Sequence, residues 1–153
     1  MFKKNLIAAL FALLLVIGMG TTGFANNNVQ SVEYGITEDM TPEIAKAIAD
    51  VNSTNAKIYV EINKAIDKSE KMYAKYQKDI SKQPNLVRQA ELTKKYGEKS
   101  DKLISDLKQQ TEKMTLKGIE KAERAGLEVE IELVSITFAD RTEKIDPIVV
   151  VSW

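Results

Sequence analysis

Arg124-Ala125-Gly126-Leu127-Glu128-Val129-Glu130-Ile131-Glu132-Leu133 decides the fold, because the hydrophobic period changes inside it. Up to Arg124, apolar residues recur every three or four positions, as on one face of a helix. From Leu127 they alternate one by one, as in a half-buried strand. Lys121 and Arg124 would close the helix with positive charge in its last turn, and Gly126 follows as the usual terminator. Leu127, Val129, Ile131 and Leu133 then alternate with Glu128, Glu130 and Glu132, which predicts a strand with an acidic outer face.

Downstream, the apolar phase passes to Val134, Ile136 and Phe138, so a bulge is expected near Leu133 or Val134. Residues 139–147 read as a polar connection. Ile148-Val149-Val150-Val151-Ser152-Trp153 reads as a second strand, paired with 127–138 and packed on the helices. A strand so apolar and uncharged is sticky if its edge is left open. Asp146-Pro147 is placed as a gatekeeper, and strand addition to another copy or partner is the alternative use of this segment.

Upstream, two helical patterns meet at Gln83-Pro84-Asn85. The second carries Leu86, Val87, Ala90, Tyr96, Leu103, Leu107, Met114, Ile119 and Ala122 on one stripe. Glu91 with Lys95, Glu98 with Lys102 and Glu120 with Arg124 are expected as supporting pairs four residues apart. Gly97 is either a tolerated interior glycine or the end of a short helix. The first helix starts at Thr41-Pro42-Glu43: a capping side chain, a proline suited to the first turn, and a carboxylate at the positive end of the dipole. Its stripe runs through Ile44, Ile48, Val51, Ile58, Ile62, Ile66, Tyr73, Tyr76 and Ile80, with Asn55 and Ser69 as polar interruptions. Asn52-Ser53-Thr54-Asn55 holds four poor helix formers together and is the place for a bend or break. The expected fold is therefore α+β: a long antiparallel, coiled-coil-like helical hairpin over 41–126, then a β-hairpin over 127–153 packing on it, the two forming one domain.

The N-terminal residues speak to location. Lys3 and Lys4 precede an uncharged apolar run from Leu6 to Ile17, and Gly23-Phe24-Ala25 offers the small-x-small pattern of a cleavage site. These are the three parts of a secretion signal, so residues 1–25 are expected to leave between Ala25 and Asn26. The run is shorter than the roughly 20 residues a membrane-spanning helix needs, which makes an uncleaved anchor the lesser alternative. Residues 26–40 form a polar leader, with Val29, Val32, Tyr34 and Ile36 as the material for a short strand. Secretion without cysteine leaves packing alone to hold the fold. A lysine-rich, cysteine-free secreted chain suggests a Gram-positive bacterial source.

Composition narrows the chemistry. Histidine and cysteine are both absent, so Ser-His and Cys-His nucleophiles and the common zinc, haem and iron–sulfur ligand sets cannot be assembled. No glycine-rich phosphate loop occurs. Twenty-two basic and twenty-two acidic side chains balance before Lys3 and Lys4 are lost. That mixture suits neither nucleic acid nor an anionic lipid surface. No catalytic, metal or cofactor residues are expected. The glutamates at 128, 130 and 132 offer oxygen for calcium, but they have no acidic loop of the required spacing and read better as a solvated strand face. Asn52-Ser53-Thr54 matches a glycosylation acceptor, incidental in a bacterial protein. Tyr73, Tyr76, Tyr96 and Trp153 are the candidate interaction residues. The plainer role of the three helical tyrosines is to fill the seam of the hairpin with their hydroxyls at its rim.

The leading expectation is a secreted, non-enzymatic interaction or structural protein of the cell exterior, acting on a protein partner or on itself. Strand, helical hairpin, strand is also an order similar to that of the tentacle chaperones of the Skp and prefoldin types. That likeness implies an oligomer holding clients between helical arms. Here no family motif accompanies it, the arms are shorter, and the charge is not basic. A membrane-active amphipathic protein is the third class, disfavoured by polar faces of mixed sign.

Overall fold

The computed structural model describes residues 30, 33–38 and 40–152. The expected signal and its Ala25–Asn26 junction lie outside them, as do Val29 and Val32. Two long helices, α1 (Pro42–Ser81) and α2 (Leu86–Arg124), pack together as an antiparallel hairpin, and four short strands follow: β1 (Glu128–Ile131), β2 (Val134–Thr137), β3 (Thr142–Ile145) and β4 (Ile148–Ser152). The α+β reading holds. Among the described residues, no helix is long and apolar enough to cross a membrane.

The helix ends follow from their sequence. The Thr41 hydroxyl accepts the N–H of Ile44, and Pro42 opens α1. Asn85 caps α2 by accepting from Val87 and Arg88 at 3.0 and 3.2 Å. Gly126 takes a φ of +89°, and the bonds Gly126 N–H to Glu123 and Leu127 N–H to Ala122 complete a Schellman terminus. Both suspected interruptions are continuous helix. Gly97 sits in the interior of α2 with nothing near its missing side chain. The Asn52–Asn55 stretch is helical because its polar groups have partners: the Thr54 hydroxyl donates to the Asp50 carbonyl, and Asn52 holds the backbone of Tyr34. That hold replaces the expected leader strand, since no strand precedes α1 among the described residues. Glu120 pairs with Arg124 as expected. Glu98 pairs instead with Lys94, and Lys102 with Asp106.

The strands depart from expectation in an informative way. Residues 142–145, read as part of a polar connection, form β3. Thr142-Glu143-Lys144-Ile145 looks polar because it faces both ways: Ile145 is wholly buried, and Glu143 reaches Lys108 of α2 at 2.6 Å. β2 pairs with β3, and β4 pairs with β1, all antiparallel. The expected bulge at Leu133 or Val134 is absent. Ile131 faces Ile148 and Val134 faces Ile145, so two residues separate the paired segments on each side and the register is unchanged. Both strands turn over together at Glu132-Leu133 and Asp146-Pro147, where Pro147 has no N–H to give the ladder. This explains the switch of apolar phase. The irregularity in register lies at the other end, between Glu128 and Val129.

The result is one long β-ribbon laid along the helical hairpin. Its outer half packs Ile136, Phe138 and Ile145 against Ile58, Ile62, Ile66, Ile104 and Leu107. Its inner half packs Leu127 against Ile48, Val51 and Ala122. The α2 face under the ribbon is made largely of small and polar residues: Ser100, Thr111, Thr115 and Gly118 are buried there with Ile104, Leu107 and Ala122. The expected stripe of larger apolar residues only partly coincides with it. Small side chains let the ribbon backbone come close, and their hydroxyls then serve it: Thr115 donates to the Asp146 carbonyl at 2.6 Å.

Candidate interaction site

The ribbon does not reach the end of the helices. Its tip, closed by the Phe138 N–H to Arg141 carbonyl bond, is fastened to the last covered turns. Ser69 of α1 accepts the Ala139 N–H at 2.9 Å, Ser100 of α2 donates to Asp140, and Arg141 bridges Asp140 and Asp101. The buried positions of α1 end at Ser69, and those of α2 begin at Ser100. Residues 70–99 therefore form a bare two-helix arm in which no side chain is fully buried. Leu86 and Val87, at its far end, are 78% and 69% exposed. Their place on the expected seam is corrected accordingly: the arm has no third layer to cover them.

The three tyrosines singled out from sequence come together at the base of this arm. Tyr76 and Tyr96 stack across the seam with centroids 4.7 Å apart, and Tyr73 touches both rings at 6.1 and 5.7 Å. The Tyr76 hydroxyl bonds Thr93 at 3.0 Å, locking the two helices together. The Tyr96 hydroxyl is enclosed beside Ser100 and Asp140 without a hydrogen bond of good geometry. Burial, reinforced by the Asp140 carboxylate, pushes its pKa up to about 12, so the phenol stays neutral at physiological pH. Asp140 itself is held below the usual aspartate range. Burial would raise it, but Arg141, Tyr96 and Ser100 outweigh that effect. Trp153, the fourth candidate, lies outside the described residues.

The rings that fill the seam are only half-buried and reach the surface. Tyr76 and Tyr96, with Met72 and Leu92, floor a shallow groove of about 130 Å³, and Lys75, Lys95, Lys99 and Asp79 line its rim. Lys75 is bridged to Asp79 at 3.1 Å. An apolar floor and a basic rim suit an acidic, partly apolar polypeptide better than a small polar substrate. The base network of Ser69, Ser100, Asp140 and Arg141 escaped sequence reasoning, except that Ser69 stood out as a polar residue on an apolar stripe.

Among the described residues, a further solvent-facing trough is lined by Ala56, Val60 and Met114. Among the described residues, no group of three or more carboxylates is placed to hold a metal ion. Compared with protein-family models, curated proteins and solved structures, the chain matches none of them.

Proposed function

We propose that this is an exported, non-enzymatic interaction protein of the cell exterior whose bare helical arm is its contact surface. The observation behind the reading is the end of the buried core at Ser69 and Ser100, with both helices running on past it. Those extra turns place apolar side chains in solvent: Leu86 and Val87 at the tip, the tyrosine groove at the base. Exposed apolar surface costs stability and solubility unless something uses it. The basic head, apolar run and small-x-small exit of residues 1–25 support export, and the lysine-rich, cysteine-free composition fits a Gram-positive source.

Two measurements test this. Expressed with its N-terminus in a secreting bacterium, the protein should be recovered from the medium beginning at Asn26. Retention as the full-length chain in the cell would count against export. A photo-crosslinking residue at Leu86 should yield discrete protein adducts, whereas one at Glu120 on the body should yield none. Absence of any adduct from Leu86 would remove the arm as a contact surface. The exposed tip also favours a second reading, a chaperone-like holder of unfolded clients, for which suppression of client aggregation is the distinguishing assay.

A further inference from the structure

Charge is unevenly placed along the molecule. Residues 70–99 carry eight basic and four acidic side chains, whereas the remainder from residue 26 onward carries twelve basic and eighteen acidic. The arm is thus a positive projection from a negative body. At its base the groove joins an apolar floor of Met72, Tyr76, Leu92 and Tyr96 to Lys75, Lys95 and Lys99.

The body carries a segment of matching character. Where the ribbon turns over, it lifts its side chains off the helices, and Glu130, Ile131, Glu132 and Leu133 are all exposed in succession. Ile131 and Leu133 stand 46% and 57% open to solvent, unlike the buried apolar residues on either side, Leu127 and Ile136. Acidic and apolar residues alternate there over an extended backbone, the composition the groove selects. The two surfaces cannot meet within one chain. Thr115 marks the level of the turn-over through its bond to Asp146, and Tyr96 lies nineteen residues nearer the start of α2, roughly 30 Å at about 1.5 Å per residue.

We propose that the arm groove of one copy takes the Glu130-Ile131-Glu132-Leu133 segment of a second copy, joining copies head to tail. The inference rests on the arm being a contact surface and adds its occupant. Each copy then offers one groove and one segment, a heterologous contact that repeats into rings or filaments rather than closing as a twofold dimer. The lysines steer the encounter and fix its orientation, and the apolar floor contributes the desolvated contact.

Complementary charge reversal tests it. The mature chain should scatter light as species larger than a dimer at low ionic strength, and dissociate as salt rises through about 0.5 M. Reversing the arm (Lys75→Glu, Lys95→Glu, Lys99→Glu) or the segment (Glu130→Lys, Glu132→Lys) should leave each variant monomeric. Mixing the two should restore assembly, because each reversed surface then meets its complement. Circular dichroism verifies folding. If a reversal does not fold, Lys95→Ala with Lys99→Ala should still weaken association about tenfold or more. A wild-type chain that stays monomeric at every salt concentration overturns the proposal, as does assembly that survives both reversals. A monomer that nonetheless cross-links another protein through Leu86 would sink the head-to-tail contact while leaving the arm as an interaction surface.

Discussion

The side-chain amide of Asn52 pairs with the backbone of Tyr34 in both directions, accepting its N–H and donating to its carbonyl, each at 2.9 Å. A residue that lowers helix propensity thereby fastens the incoming leader to the first third of α1. Asn52→Ala should lose both bonds and about 1–2 kcal/mol in denaturant unfolding. Hydrogen exchange at Tyr34 should accelerate more than exchange at Ile58, because the leader is released before the core. An unchanged Tyr34 rate would show that the pair does not hold the leader.

The two hydroxyl fastenings of the ribbon differ in what their loss leaves behind. Thr115→Val leaves the Asp146 carbonyl without its partner beneath the ribbon, and should cost about 1–3 kcal/mol. Ser69→Ala leaves the Ala139 N–H unpaired near the ribbon tip, with a cost of about 1 kcal/mol. The distinguishing result is spatial: Ser69→Ala should increase protease sensitivity around 138–141, and Thr115→Val around 132–133 and 146–147.

Two glycines predict opposite signs. Gly97 is ordinary helix with open space where a Cβ would stand, so Gly97→Ala should stabilise the arm by about 0.5–1 kcal/mol. Gly126 occupies positive φ at the α2 terminus, so Gly126→Ala should destabilise by about 1 kcal/mol. Thermal melts of the two variants in one buffer decide the matter.

Two aspartates respond to acid in opposite directions. Asp140 has a folded pKa below the ordinary 3.8, so its contribution is present above that value and is lost as pH falls through the folded pKa. Asp146 is shifted upward by burial, with Glu112 adding to it, so its charge opposes folding at neutral pH and the penalty fades as pH falls toward 3.8. Asp146→Asn should therefore raise Tm at pH 7, with the gain shrinking by pH 4. Arg141→Gln, which removes the group holding Asp140 down, should move acid unfolding to higher pH. Melting curves between pH 3 and 7 read both.

Much of the architecture is legible in the chain itself. Thr41-Pro42-Glu43, Asn85 and Gly126 mark helix boundaries by local chemistry, and the alternation from Leu127 marks the change to strand. Local signals fail where the deciding partner is distant. Asn52 reads as a breaker until Tyr34 is seen against it, and Glu143 reads as loop until Lys108 is seen. Large apolar residues mark only part of the α2 seam for a similar reason. A search for large apolar residues passes over Ser100, Thr111, Thr115 and Gly118, whose smallness is what admits the ribbon. Helical spacing puts the three tyrosines on facing stripes, where their rings meet, but what surrounds them depends on where the ribbon stops, which no spacing within α1 or α2 encodes.

That stopping point has a mechanical meaning. Ser69 and Ser100, clasped by the ribbon tip, act as a fulcrum: below them three elements resist bending, above them only a pair of helices does. From Glu70 to Ser81 the lever is about 18 Å long at about 1.5 Å per residue. A tilt of roughly 10° at the base thus carries its far end about 3 Å sideways. A load taken at Leu86 is delivered as torque to the Arg141–Asp140 bridge and the stacked tyrosines. Those contacts, rather than the deep core, set how stiffly the arm stands on the body.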